Sequence, residues 1–284
     1  MANVMRKIDT GVIRDKIADM SVEACIELNS DLIDVIKKSE KEEIDPLGKK
    51  ILGQLLENSD VALAERLPLC QDTGMVTVFM EIGQDVHLIG EPLYEMIQEG
   101  VRRGYAKGYL RKSIVSDPLD RVNTGDNTPA VVHCDIVLGD KVSISVLPKG
   151  AGCENMCKVA MLKPSDGEEG VKKFVVDTVA KAGANACPPM IIGVGLGGSF
   201  EKVAYLAKKA LMLPFKERSE KQHIAALEDQ LLEQINELNI GPQGFGGRTT
   251  AMGLRIMEFP THIASLPVAV NISCHVLRYK KVVI

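Results

Sequence analysis

A thiol, an amide, a carboxylate and a hydroxyl follow one another at Cys70-Gln71-Asp72-Thr73, between Pro68 and the turn-former Gly74. A deprotonated cysteine is a soft metal ligand, and a carboxylate two residues away is placed to move protons on whatever that metal binds. A loop cysteine alone is more often a small buried residue, so the other six decide the matter. Cys25, Cys134, Cys153, Cys157, Cys187 and Cys274 are scattered over the chain without the dense spacing of a disulfide scaffold. In a reducing compartment they stay thiols, available as core residues, ligands or nucleophiles.

Cys25 shares a three-to-four spacing with Val22 and Ile26, which reads as a helix face turned to the core. Cys134 alternates with Val132, Ile136 and Leu138, which reads as sheet packing. Cys153 and Cys157 are the most metal-like pair by spacing, but no third cysteine or histidine lies nearby and residues four apart also share one helical face. Cys70, Cys187 and Cys274 each stand where a strand meets a loop, beside a turn-former or a polar cluster. Lying 117 and 87 residues apart, they exclude a compact zinc-finger motif. Spacing alone does not choose ligands among seven thiols.

Other polar groups sit on glycine-rich or irregular stretches. Residues 108–129 form a polar connection long enough to be functional or disordered, and its Arg111, Lys112 and Arg121 suit either an anion clamp or a solvated basic loop. Lys149-Gly150-Ala151-Gly152 pairs a cation with glycines that let backbone amides approach a carboxylate or phosphate. Gly193-Val-Gly195-Leu-Gly-Gly198 matches the dinucleotide fingerprint in form. A charged helix follows where a second strand ending in an acid is needed, so a tight strand-to-helix turn or an amide nest explains it better. Gly241 to Arg248 is another glycine loop, and His262 by position is an ordinary loop histidine.

The elements that must position these groups read as an α+β fold, with an N-terminal helical layer followed by a mixed β-sheet with packed helices. The first 67 residues are expected to be helical, with Asp45-Pro46 as cap and first position of one helix, and they form a possible subdomain of a single domain over 1–284. Helices are expected over 91–107, 168–182 and 199–213, and strands over 75–82, 190–198, 252–258 and 266–273. The stretches 130–138 and 141–148 alternate and are joined by Gly139-Asp140, a hairpin signal. Apolar residues make up 45% and charged residues 25% of the 284, with a formal net charge of −4 and no tryptophan. That balance points away from nucleic acid and from a membrane surface, no apolar run is long enough to span a bilayer, and the expected location is cytoplasmic.

Six ordered stretches carry a family resemblance: LCQDTG at 69–74, VNTGDNTPA at 122–130, KGAGCEN at 149–155, NACPP at 185–189, GPQGFGG at 241–247 and SLPVAVNISC ending at Cys274. Together they resemble the α-type part of the class I, iron–sulfur fumarate hydratases and tartrate dehydratases, over essentially the full chain. The resemblance implies that Cys70, Cys187 and Cys274 hold a [4Fe-4S] cluster with one open iron, and it does not extend to Cys153 or Cys157. It implies that Gln71 and Asp72 lie beside the substrate, with Asp72 in the proton-transfer machinery. Arg111 is implied for a substrate carboxylate, and His262 is the counterpart of a histidine in the family site. Gly150, Ala151 and Gly152 are implied to give backbone contacts, with Ala151 standing where the family often has glycine.

An open iron acts as a Lewis acid, which suits hydration of fumarate to malate without redox change. Single-chain relatives continue into a second domain, so the resemblance implies a separate β subunit, an α2β2 assembly and little activity for the α subunit alone. Fumarate is the first expectation and L(+)-tartrate the alternative. A structural or regulatory iron–sulfur scaffold is the reading from another class.

Overall fold

The computed structural model describes residues 5–284. In chain order the first half runs β1 (Arg6–Asp9), α1 (Thr10–Ile26), α2 (Ser30–Glu42), α3 (Pro46–Glu65), β2 (Met75–Gly83), β3 (Val86–Ile89), α4 (Leu93–Lys107), β4 (Val131–Val137) and β5 (Val142–Lys149). The second half runs α5 (Ala151–Glu154), β6 (Lys158–Leu162), α6 (Gly167–Ala182), β7 (Met190–Gly197), α7 (Phe200–Ala210), α8 (Gln222–Asn236), β8 (Ala251–Phe259), β9 (Leu266–Ser273) and β10 (Lys280–Val283). Helices lead and strands with packed helices follow, as the α+β reading expects. The early helices are preceded by one short strand, β1, which pairs in parallel with β3. Asp45 caps α3, its carboxylate accepting from Gly48 N at 2.8 Å.

The chain divides into two compact units. Unit 1 comprises Met1–Leu28, Ser59–Ala151 and Arg278–Ile284, and unit 2 comprises Asn29–Asn58 and Gly152–Leu277. Unit 1 holds a four-stranded mixed sheet in the order β10-β5-β2-β4. Val76, Val78 and Met80 of β2 and Val142, Ile144 and Val146 of β5 form its core with Ile13 and Ile17 of α1 and Ile97, Val101 and Tyr105 of α4. The two helices approach closely because α4 carries glycine every fourth residue: a Cβ at Gly100 would stand 2.6 Å from Arg14 O, and one at Gly104 2.6 Å from Ala18 O.

Two expectations fail in this sheet. β4 and β5 do not pair with each other as a hairpin; β2 lies between them, parallel to β4 and antiparallel to β5. A strand as thoroughly buried as β2 needs a partner on both edges, and the chain closes around it. Of the face shared by Val132, Cys134, Ile136 and Leu138, only Val132 packs against the core. β4 is an edge strand, Cys134 is exposed, and Ile136 and Leu138 are 81% and 86% exposed.

Unit 2 holds a second mixed sheet, β6-β9-β7-β8, whose central strands β7 and β9 are antiparallel. One face, through Ile192, Val194, Val268, Val270 and Ile272, packs on α6 and α8. The other receives α7, through Val203 and Ala207 against Ala269. Gly193 and Gly195 explain the dinucleotide-like motif: they lie inside β7, and a Cβ on either would collide with the backbone of α7 at Ala207 O or Val203 O. The glycines admit a helix, not a phosphate. Gly195→Ala is therefore expected to destabilise by about 1–3 kcal/mol, the usual cost of overpacking, read as a lowered urea midpoint.

Candidate active site

The loop from Leu69 to Gly74 belongs to unit 1 and is fixed at both ends. Leu69 N donates to Cys25 O at 2.8 Å. Gly74 has φ +82 and packs so tightly that a Cβ would fall 2.5 Å from the carbonyl carbon of Lys149. Between those points three successive carbonyls turn inward and each meets a buried side chain. Arg278 Nη2 donates to Asp72 O, while its Nε donates to Pro148 O at 3.2 Å. Tyr105 OH approaches Thr73 O at 2.7 Å and Gly74 O at 3.1 Å. Asn127 Nδ2 donates to Gly74 O at 3.1 Å, and its Oδ1 accepts from Ser113 N at 2.7 Å.

With its backbone held from within, the loop presents its side chains outward. Gln71 is exposed, and Cys70 and Asp72 are half-buried. Cys70 Sγ lies 3.3 Å from Gln71 Oε1. Asp72 Oδ1 accepts from Gly74 N at 3.0 Å and Oδ2 from Ala151 N at 2.9 Å, so both oxygens are aimed by backbone donors. Gly150 makes room for this: a Cβ there would stand 3.0 Å from Asp72 Oδ2. The Ala151 amide therefore serves the carboxylate. Thr73 Oγ1 donates to Arg111 O at 3.1 Å and fastens the 108–129 segment to the same loop, leaving Arg111 exposed. Cys25 beneath the loop is a core thiol, pushed up to about 11 by burial and directed at Thr73 O at 3.8 Å. Tyr105→Phe is expected to cost about 1–3 kcal/mol, because the buried Thr73 carbonyl loses its hydroxyl donor while Gly74 O keeps Asn127; equilibrium denaturation measures it.

Unit 2 carries Cys187 and Cys274. Ile191 of β7 pairs with Ser273 of β9, so Cys187, ahead of β7, and Cys274, just past β9, emerge at the same end of the sheet. Cys187 is exposed with φ 52 and ψ 61, followed by a cis Pro188-Pro189 peptide; Cys274 is half-buried. Gly152 is exposed with open space around its Cα.

His262 lies at the opposite end of that sheet. Thr261 Oγ1 donates to Gly198 O at 3.0 Å, just past the far end of β7, and the strand between spans about 26 Å at 3.3 Å per residue. Its Nδ1 accepts from Ala264 N at 3.1 Å, which leaves Nε2 as the proton-bearing nitrogen of the neutral ring. Unit 2 thus brings the two cysteines to one sheet end and keeps the histidine away from them. Among the described residues no three His, Cys, Asp or Glu side chains are gathered as a ready-made metal site.

The positioning groups Tyr105, Asn127 and Arg278 were not singled out for this role by the sequence. Tyr105 continues the inward series Ile97 and Val101 of α4, and that spacing is the one signal that marks it. Arg278 falls in a basic tail whose composition suggests solvent, yet it is 2% exposed.

Comparison with known proteins agrees over nearly the whole chain. The profile of the family described as fumarate hydratase (Fumerase) matches residues 14–283. A protein of Methanocaldococcus jannaschii, provisionally named L(+)-tartrate dehydratase subunit alpha, is 40% identical over 268 residues, covering 92% of this chain and 94% of its own. The L(+)-tartrate dehydratase subunit alpha of Escherichia coli is 34% identical over 262 residues, covering 91% and 86%. With a profile match over nearly its full length and relatives of this closeness, the chain belongs to the class I fumarate hydratase and tartrate dehydratase α family.

Proposed function

We propose that this chain is the α subunit of a two-subunit hydro-lyase that adds water reversibly across the double bond of fumarate to give (S)-malate. The observation that carries the reading is the Cys70–Gly74 loop, where a thiol, an amide and a carboxylate aimed by two backbone N–H groups are held outward by buried donors.

The donor set fits a [4Fe-4S] cluster held by Cys70, Cys187 and Cys274. All three are thiols at least partly open to solvent and outside helices and strands, whereas Cys25 and Cys153 are buried in the cores, Cys134 lies within β4 and the Cys157 sulfur accepts from Ile272 N at 3.2 Å. Such a cluster, when bound, supplies a Lewis-acidic iron that polarises substrate oxygen without changing redox state.

The remaining work falls to the chain's own residues. Arg111, exposed on a segment tied to the loop, offers a planar fork for one substrate carboxylate. Gln71 donates to the substrate from the position next to the thiolate. Asp72 spends one lone pair of each oxygen on the backbone and keeps the others to take or return a proton at the reacting carbons. Gly150, Ala151 and Gly152 line the carboxylate end, with Ala151 acting through Asp72.

His262 stands at the wrong end of its own sheet to serve Cys274. Its role in proton transfer is therefore assigned to an assembly with more than one α chain, and α2β2 is the composition we propose. Relatives named subunit alpha support a β subunit, which supplies the further cations that hold the second carboxylate and completes the active site. No described helix is long and apolar enough to cross a membrane, and we place the enzyme in the cytoplasm, where its thiols stay reduced.

A second reading is favoured by the names of the relatives: elimination of water from L(+)-tartrate to give oxaloacetate, on the same residues. The two substrates differ by one hydroxyl. Anaerobic assay of the αβ complex with malate and with tartrate separates them. The fumarase reading expects the higher kcat/KM with malate, and a clear preference for tartrate would overturn it.

A further inference from the structure

The turn that carries Cys187 is held by groups from distant parts of unit 2. Pro188 O accepts two hydrogen bonds from one residue, Gln243: from its backbone N at 2.7 Å and from its Nε2 at 2.8 Å. The adjoining Cys187 carbonyl is hydrogen-bonded by the ring of His275. His275 Nδ1 is buried without a hydrogen-bond partner, so the donor is Nε2. Two consecutive carbonyls, those of Cys187 and Pro188, are thus gripped from two directions.

Gln243 sits in the glycine loop Gly241–Arg248 with φ 54 and ψ 17, a left-handed conformation that side chains disfavour. The loop's amides are turned to its own support. Gly244 N reaches Gly241 O at 3.0 Å, Gly246 N reaches Ile240 O at 2.9 Å, and Arg248 N and Thr249 N reach Glu43 at 3.1 and 2.8 Å. Gly244 lies so close to Ala184, at the entry to the Cys187 turn, that a Cβ on it would strike the Ala184 side chain. The loop is a splint laid along residues 184–188, and Gln243 is the point where it grips.

A metal ligand on an exposed turn needs partners in the surrounding shell that fix its direction. We propose that Gln243 and His275 are positioning residues for Cys187 as an iron ligand, orienting its thiolate by holding the Cys187 and Pro188 carbonyls. This rests on the reading of Cys187 as a cluster ligand.

Gln243→Gly isolates the claim, because glycine accepts the left-handed backbone, keeps the N–H that reaches Pro188 O and deletes only the side-chain donor. The αβ complexes of wild type, Gln243→Gly, His275→Phe, His275→Gln and Cys187→Ser are purified anaerobically. Iron and sulfide content, the rate of iron loss to a chelator and the thermal unfolding midpoint are measured on each. Hydrogen exchange across residues 183–187 is followed in the iron-free chains. Gln243→Gly is expected to unfold no lower than wild type, yet to lose iron several-fold faster and to exchange several-fold faster over 183–187. His275→Phe is expected to do the same, and His275→Gln, which retains an N–H donor, to recover part of the loss. A purely structural role would lower the unfolding midpoint and iron retention together, and that outcome overturns the proposal. Iron held by wild type, lost in Cys187→Ser and retained normally in Gln243→Gly overturns the clamp alone. A wild-type complex that binds no iron, or a Cys187→Ser complex that keeps it, overturns the cluster reading and the clamp with it.

Discussion

Cys70→Ser, Cys187→Ser and Cys274→Ser are each expected to abolish the iron–sulfur content of the anaerobically purified protein and its hydro-lyase activity, while Cys153→Ser keeps both. A serine hydroxyl does not replace a thiolate on iron, and losing one of three ligands leaves too few to hold a cluster with an open corner. Cys153 stands apart because it is 6% exposed in the core of unit 2, packed among residues of α6, α8 and β9. Its replacement buries a hydroxyl, at a cost of about 1–3 kcal/mol that appears in denaturation and not in iron content. Iron and acid-labile sulfide assays on the four variants read the result directly. Retention of the cluster in any of the first three would remove that residue from the ligand set.

Glu43→Ala is expected to be the most destabilising single change outside the sheet cores, by on the order of 3–5 kcal/mol, since it removes the shared acceptor of several buried donors. Glu43 is 4% exposed. Its Oε1 accepts from Ile44 N at 2.9 Å, Asp45 N at 3.0 Å and Arg248 N at 3.1 Å; its Oε2 accepts from Thr249 N at 2.8 Å and Thr249 Oγ1 at 2.7 Å. Burial pushes the carboxyl upward, but the Thr249 hydroxyl and the N–H groups of Asp45, Arg248 and Thr249 outweigh it and lower it below its ordinary value of 4.5. A carboxyl that ionises more readily folded than unfolded stabilises fully above the unfolded value and loses that contribution as pH falls through the folded one. Urea midpoints of wild type should therefore drop below about pH 4.5 by a component missing in Glu43→Gln. Identical acid dependence in the two proteins would contradict this account.

How far the sequence revealed the molecule follows from what each pattern encodes. β7, β9, α4 and α6 were legible because their apolar periods are long and the structure buries the faces those periods mark. The hairpin at Gly139-Asp140 was misleading because alternation reports a strand, not its neighbour, and the neighbour of β5 is β2, whose paired residues lie 60 to 74 positions earlier. Cys134 was assigned to a packed face for a related reason: a period of two names a face without saying whether anything covers it, and β4 is an edge. The glycines at 193 and 195 were read as a turn or a nest, whereas their cause is a helix pressed on a strand, which no local pattern displays.

At the candidate site Cys70, Gln71 and Asp72 were legible only together with the other family-like stretches, because a loop cysteine alone reads as a small buried residue and a loop carboxylate as a turn cap, which Asp72 also is for Gly74 N. The groups that aim them were not. Tyr105, Asn127 and Arg278 come from 31 to 206 residues away, and their value lies in reaching specific carbonyls of one loop. His262 shows the converse limit: resemblance names a residue, and only the register of β7 with β8 and β9 places it at the sheet end away from Cys274.

The central claim, a cluster with one iron left open for substrate, is tested most directly by iron-57 Mössbauer spectroscopy of the anaerobic αβ complex before and after adding malate or tartrate. The account predicts one iron environment distinct from the rest, whose parameters shift when the substrate is added and whose iron is the first lost on exposure to oxygen. Iron environments that are uniform, stable in air and indifferent to both dicarboxylates would contradict it.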